Sequence, residues 1–251
     1  MRALRMRATV GAMSALAPRV AVAARSVAEA RVLQSELRAR VIARDAFPRR
    51  VRFVAGTDVS FDRLAPTLFA AVVVLDVRTL AVVDSANAEV PAAFPYVPGY
   101  LSFREIPPLL AAFAKLRVAP DLVVCDGHGR AHPRRFGLAC HLGVALDLPT
   151  LGCAKSVLVG EHDEPARERG SFTALREGGR TLGSALRTRE GVAPVFVSVG
   201  HRISLASARR FALRLAPTHR LTAPIRAAHE ASNRARREGV RLGPHAEGRD
   251  A

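Results

Sequence analysis

Lysine, tryptophan and long apolar runs are scarce in this 251-residue chain, and each scarcity excludes something. No apolar run reaches the roughly 18 to 20 residues that span a bilayer, so neither a transmembrane helix nor a membrane partner is expected. Cysteine is limited to Cys125, Cys140 and Cys153, an odd number inside apolar segments, with neither a CxxC pair nor zinc-like spacing to histidine. A disulfide framework is thereby set aside, and buried free thiols place the protein in a reducing cytoplasm. No internal repeat is found. Acidic residues are missing before Glu29, a stretch that holds Arg2, Arg5, Arg7, Arg19 and Arg25 among many alanines. Residues 1 to 28 superficially resemble an organelle-targeting peptide. They are read instead as a disordered extension or an over-long start.

Positive charge is abundant. The chain has 38 Lys plus Arg against 22 Asp plus Glu, a net +16, and only Lys115 and Lys155 are lysines. Setting the five leader arginines aside leaves 33 − 22 = +11, so the basic character belongs to the folded part. A polyanionic partner follows; a genome-wide codon bias toward arginine is the alternative. Hydrophobic residues at 49% and charged residues at 24% are an ordinary globular balance. A single domain over residues 29 to 241, monomeric, with a flexible tail at 242 to 251, is expected.

The order of elements comes from periodicity. Residues 30 to 47 place Val32, Leu33, Leu37, Val41 and Ile42 at helical spacing. Arg52 to Phe61, Leu68 to Val77 and Leu80 to Val90 then read as a three-stranded antiparallel meander. Ser102 to Arg117 is a helix, with Ser102 as N-cap, Glu105 as its capping-box partner and Pro107-Pro108 in the first turn. Asp121 to Asp126 is a short strand, Arg134 to Leu146 a helix, and Thr150 to Val159 one or two strands. A charged, Gly-broken excursion covers Glu161 to Gly179. A strand near Val192 to Val197 and helices near Ser204 to Leu215 and Pro224 to Val240 complete an α/β fold. Its mixed central sheet combines the meander with parallel strands and is flanked by helices.

Three acidic residues stand where a basic protein has little use for them. Asp58 lies within the first strand, Asp126 closes an apolar strand and precedes Gly127, and Glu105 opens the intervening helix. Strand one and strand four are neighbours in this topology, so the three can converge. Such carboxylates suit Mg²⁺, with Mn²⁺ as substitute, and two ions can activate water and stabilise a leaving oxygen in phosphodiester cleavage. Each residue also has an ordinary reading: Asp126 a turn residue, Glu105 a cap, Asp58 a partner of Arg104 or Lys155. Lys155, following a strand, offers a compact charge for a phosphate or metal-bound water, or else neutralises the carboxylates. Pro95-Tyr96-Val97-Pro98 is stiff and apolar, suited to a simple turn or to a wedge that enters a base stack.

At these residues the sequence resembles the endonuclease V family. The segments that carry the likeness are Ala55 to Phe61 (AGTDVSF), Pro95 to Glu105 (PYVPGYLSFRE) and the run from Asp126 to Gly160. Val197 to Ile203 (VSVGHRI) and Pro224 to Glu230 (PIRAAHE) echo two more family motifs. The match runs from about Arg31 to about Arg237. It implies a ribonuclease-H-like fold and a DNA repair endonuclease that binds DNA containing deaminated bases such as deoxyinosine. Cleavage would fall at the second phosphodiester 3′ to the lesion, leaving 3′-hydroxyl and 5′-phosphate. The same resemblance implies that Asp58, Glu105 and Asp126 are the metal ligands and that His229 lies near a second metal and its attacking water; of the two readings of Lys155, the catalytic one is favoured, on its compact charge. Tyr96 becomes the wedge, with Pro95, Val97, Pro98 and Arg104 around it, while Gly99, Leu101, Gly127, His132 and Gly137 shape a pocket for the extruded base.

His128, His132, His141 and His201 lack shared spacing and are not read as a zinc cluster. Arg130, Arg134 and Arg135 are expected to face phosphates. Two departures from the family pattern are noted, Val199 where proline is more common and Tyr100 as a second aromatic beside the wedge. The same chemistry directed at inosine in RNA, and a non-catalytic damaged-DNA-binding module, are the rival readings.

Overall fold

The computed structural model describes residues 16–61 and 67–238. Helix α1 (Val27–Arg38) precedes a meander of β1 (Phe53–Phe61), β2 (Thr67–Asp76) and β3 (Val82–Pro91). Then follow α2 (Leu101–Phe113), β4 (Leu122–Cys125), α3 (Leu138–Leu146) and β5 (Thr150–Ala154). The chain continues through β6 (Phe172–Glu177), β7 (Arg180–Leu186), β8 (Val195–His201), α4 (Leu205–Arg214) and α5 (Ala223–Glu238). Among the described residues the eight strands join one sheet in the order β3-β2-β1-β4-β5-β8-β7-β6, with β1, β4 and β5 mutually parallel and the remaining pairs antiparallel.

Side chains alternate across the sheet, and both faces are covered. Val54, Val73, Leu122 and Val124 pack with Phe211 of α4 and Ile225 and Ala228 of α5 on one face. Ala55, Val72, Val123 and Cys125 pack with Ile106 and Leu109 of α2 and Leu142 of α3 on the other. A strand buried on both sides gains nothing from polar alternation, which is why β2 and β4 read as continuous apolar runs.

Several expectations are corrected. Residues 161–179 are not merely an excursion, because β6 pairs with β7 across Gly178 and Gly179, both at positive φ. Such a two-residue Gly-Gly loop is a hairpin signal. Helix α1 ends at Arg38 rather than near residue 47. Beyond it the backbone of Ile42 exchanges hydrogen bonds with the Nδ1 of His201 (3.2 Å) and the amide of Arg202 (2.6 Å). Part of the supposed extension is packed: Leu16 is buried and Arg19 reaches the carboxylate of Asp147 at 2.8 Å. Residues 1–15 of that extension and the tail at 242–251 lie outside the described residues. Ser102 is not a cap. Tyr100 holds that position, Ser102 is buried against the Nδ1 of His141 at 3.0 Å, and the two prolines sit in the second turn of α2.

Candidate active site

The carboxyl ends of β1, β4 and β5 lie side by side, the place where open α/β sheets offer their side chains to a ligand. Register puts two acids there: Thr57 pairs with Cys125, so the next residues, Asp58 inside β1 and Asp126 just past β4, stand on neighbouring segments with backbones roughly 5 Å apart. Helix α5 meets β1 so closely that a Cβ on Gly56 would lie 2.0 Å from the carbonyl oxygen of Pro224. Only glycine permits this approach. It brings the Ser232 hydroxyl onto Oδ2 of Asp58 as a donor and His229 Nδ1 to 3.4 Å from the same oxygen. Lys155, the residue after β5, donates to Oδ2 of Asp126 at 2.8 Å. The lysine therefore neutralises a carboxylate at the site, as one of its two readings required.

Glu105 approaches from α2. Burial first, then the charges of Asp58 and Asp126, push its carboxyl up to about 8, against the opposing pull of Arg104. Asp126 is also raised by burial, with Lys155 restraining the shift. Three carboxyls thus share one electrostatic neighbourhood. Among the described residues, however, no three His, Cys, Asp or Glu side chains are closed into a ready-made ion cage. Asp58 is turned onto Ser232 and His229, and Asp126 onto Lys155, which is where the expectation of a single shared ion-occupied spot falls short. The donor set nonetheless fits a hard divalent cation. It consists of carboxylate oxygens, and the burial and mutual repulsion that push Glu105 up are what a bound cation would relieve.

Beside these groups stands the loop between β3 and α2. Phe94, Tyr100 and Phe103 are buried together and anchor both of its ends, and Arg104 Nη1 donates to the carbonyl of Phe94 at 2.8 Å. Between the anchors Pro95 and Pro98 are exposed, Val97 turns inward, and Tyr96 is 70% exposed. Leu101 is partly exposed at the first turn of α2. Gly99 adopts φ +79, and its carbonyl accepts from Arg134 Nη2 at 2.5 Å and from Gln34 Nε2 at 3.3 Å.

Gln34 also donates to the carbonyl of Phe136 at 2.8 Å, so it ties the Gly99 turn to Gly137. It was not singled out from sequence. The available signal was a polar residue between Ala30 and Leu37 on the buried stripe of α1. Ser232, likewise on the buried side of α5, was missed for the same reason.

His132 is buried, and burial followed by Arg134 and His128 holds it down to about 4. Its Nδ1 accepts from the Arg134 amide at 3.2 Å, so the neutral ring carries its proton on Nε2. Gly127 and Gly137 close the same corner, where the Gly137 amide donates to the carbonyl of Gly129 at 3.0 Å. Two of the three expected phosphate contacts are corrected. Arg134 lies over the Tyr100 ring at 4.0 Å, and Arg135 pairs with Glu177. Arg130 is exposed. Tyr100, the second aromatic beside Tyr96, is a buried anchor. His141 is enclosed between Phe103 and Phe136, and His201 joins Asp147 at the opposite end of the sheet.

A family model described as Endonuclease V matches residues 35–230. An Endonuclease V from Roseiflexus sp. strain RS-1 is 53% identical over 203 residues, covering 81% of this chain and 90% of that protein. The Streptomyces avermitilis endonuclease V structure superposes with a TM-score of 0.83 at 48% identity, covering 86% of this chain and 95% of that one. An endonuclease V from Ciona intestinalis, solved in complex with a 24mer DNA containing an inosine followed by a ribo-adenosine, gives a TM-score of 0.73 at 28% identity. It covers 84% of this chain and 98% of that one. The ribonuclease-H-like sheet is thus shared with solved nucleases over nearly their whole lengths, and the chain belongs to the endonuclease V family, a family of phosphodiester-cleaving hydrolases.

Proposed function

We propose that this nuclease recognises deaminated bases, deoxyinosine foremost, in DNA and hydrolyses the second phosphodiester 3′ to the lesion, leaving 3′-hydroxyl and 5′-phosphate. The observation that carries the reading is the raised Glu105 carboxyl beside Asp58 and Asp126 at the carboxyl ends of parallel strands. A pure binding module gains nothing from acids beside a phosphate. Asp58, Glu105 and Asp126 would hold Mg²⁺, or Mn²⁺ in its place. When bound, such an ion supplies Lewis acidity toward a phosphoryl oxygen and lowers the pKa of water.

The chain's own groups do the rest. Lys155 holds Asp126 in one orientation and stands where a phosphate would be met. His229 is 54% exposed beside Asp58, placed to hold a proton on its ring as water is oriented. Tyr96 enters the base stack where a lesion has weakened it, while Gly99, His132 and Gly137 offer backbone and a neutral imidazole to an extruded base. A neutral His132 adds no charge to a base-sized pocket. The inosine-containing DNA in the Ciona intestinalis complex supports this substrate class.

Three buried free thiols support a reducing, cytoplasmic setting, and we take the protein to act as a monomer. Asp126→Ala is expected to abolish nicking of a labelled deoxyinosine duplex in Mg²⁺ while leaving its binding intact; parental cutting by that variant would refute the site. Inosine-containing RNA, assayed in parallel, tests whether the same site serves that substrate.

A further inference from the structure

At the other end of β1 lies an arginine-lined cleft of about 630 Å³. Arg49, Arg50 and Arg52 come from the segment entering β1, Arg78 from the β2–β3 turn, and Arg210 and Arg214 from α4. All six are exposed, and among the described residues none makes an ion pair with an acid. The one carboxylate in the lining, Asp76, spends Oδ1 on the amides of Arg78 (2.9 Å) and Thr79 (3.1 Å) in its own turn. Asp45, near Arg210, is likewise committed to Ser204 and Ser207. Asp76 acts on Arg78 and Arg52 and Asp45 on Arg210, so six arginines outnumber two carboxylates, an excess of 6 − 2 = +4, around one concavity. Its floor is apolar: Phe47 and Phe211 meet edge to face at 5.8 Å, flanked by Val51 and Val77.

We propose that this cleft is a second phosphate-binding site, which takes the backbone of the nucleic acid flanking the nicked stretch. Phe47, Val51 and Phe211 pack in the same core cluster as Ile225 and Ala228 of α5, so the cleft opens on the sheet face that carries His229. Phe53 pairs with Asp76 and Asp58 with Ala71, so five strand residues, about 17 Å, separate the cleft from the acidic strand ends. A duplex rising 3.4 Å per base pair covers that span in about five base pairs. Guanidinium groups on opposing walls suit the two oxygens of a phosphate, and arginine keeps its charge at every working pH.

The inference rests on the inosine-nuclease reading only for the choice of substrate. The test uses the full chain with Arg49, Arg78 and Arg214 changed together to Gln; among the described residues none of the three makes a side-chain hydrogen bond. A control replaces the exposed Arg176, Arg180 and Arg189 by Gln for the same loss of charge. Binding is measured, with EDTA present, on single-inosine duplexes with 20 base pairs on both sides or with one flank cut to 4, a reach of about 14 Å.

The cleft variant is expected to bind the long duplex about tenfold more weakly than the control at low salt, with a salt slope flatter by about 2 to 3. One of the two truncations should weaken the parent to the same degree and leave the variant unaffected. Equal affinity and slope for variant and control overturn the proposal. So does loss without dependence on either flank, or displacement by inorganic pyrophosphate that is independent of flank length, which would assign the cleft to small free phosphates. Failure of the parent to nick any inosine duplex in Mg²⁺ overturns the functional reading instead, and leaves the binding comparison standing.

Discussion

Replacing Glu105 by Gln should make the metal-free protein more stable at alkaline pH while removing its activity. In the folded chain the Glu105 carboxyl keeps its proton up to about 8, whereas the unfolded chain releases it near the ordinary glutamate value of 4.5. Between those values the folded state binds more protons, so unfolding free energy falls as pH rises and levels off above the folded pKa. Integrating one such group gives a loss of about 2 kcal/mol by pH 6 and about 4 kcal/mol by pH 8. Against a total stability on the order of 5 to 15 kcal/mol this is large, a Tm change on the order of 10 °C for a chain of this size. Asp126, raised in the same direction, adds to the parental slope in both proteins.

The assay is urea unfolding in EDTA at pH 5, 6, 7 and 8. Parent and Glu105→Gln should nearly coincide at pH 5 and separate progressively above it, with the variant the more stable. Saturating Mg²⁺ at pH 8 should restore the parent and do far less for the variant, because a ligand stabilises only the state that binds it. Parallel stability curves from pH 5 to pH 8 would refute the claim that these carboxyls repel one another at a desolvated site.

Three further outcomes follow from the same geometry. Lys155→Met removes the cation that restrains the Asp126 shift, so Asp126 should titrate higher and the acid limb of the nicking profile should move to higher pH. An unmoved limb, whatever the rate, would show that the ion pair does not govern that titration. Tyr96→Ala should leave stability within about 0.5 kcal/mol, since the ring is 70% exposed, yet weaken binding of inosine DNA by about five- to a hundredfold, the value of one lost base stack. Unchanged binding in an anisotropy titration would remove it as the wedge. Gln34→Ala leaves the carbonyl of Phe136 and the Nε of Arg134 without their partner, so a loss of about 2 to 4 kcal/mol is expected in urea, with poorer discrimination of inosine from undamaged duplex. A loss below about 0.5 kcal/mol would show that Gln34 does not hold the Gly99 turn.

Much of this molecule was legible from local chemistry. Alternation and β-branched runs declared the meander, because side chains of a strand must choose faces, and the acids at Asp58 and Asp126 stood out because carboxylates are costly at apolar strand ends. Pro95 to Pro98 announced a stiff exposed loop for a similarly local reason, since two fixed φ angles need no tertiary partner. Positions whose meaning depends on distant neighbours were misread or missed. Ser102 has the spacing of a cap but serves His141 across 39 residues, and Arg134 has the charge of a phosphate ligand but is spent on Gly99 and Tyr100. Gln34 and Ser232 carry no motif at all. Composition and period determined the meander, the core helices and the standing of the acids, while the β6–β7 hairpin at the sheet edge went unread. Only tertiary structure decided which partner each polar group would take, because desolvation on folding forces every buried donor and acceptor to find one wherever the chain happens to bring it.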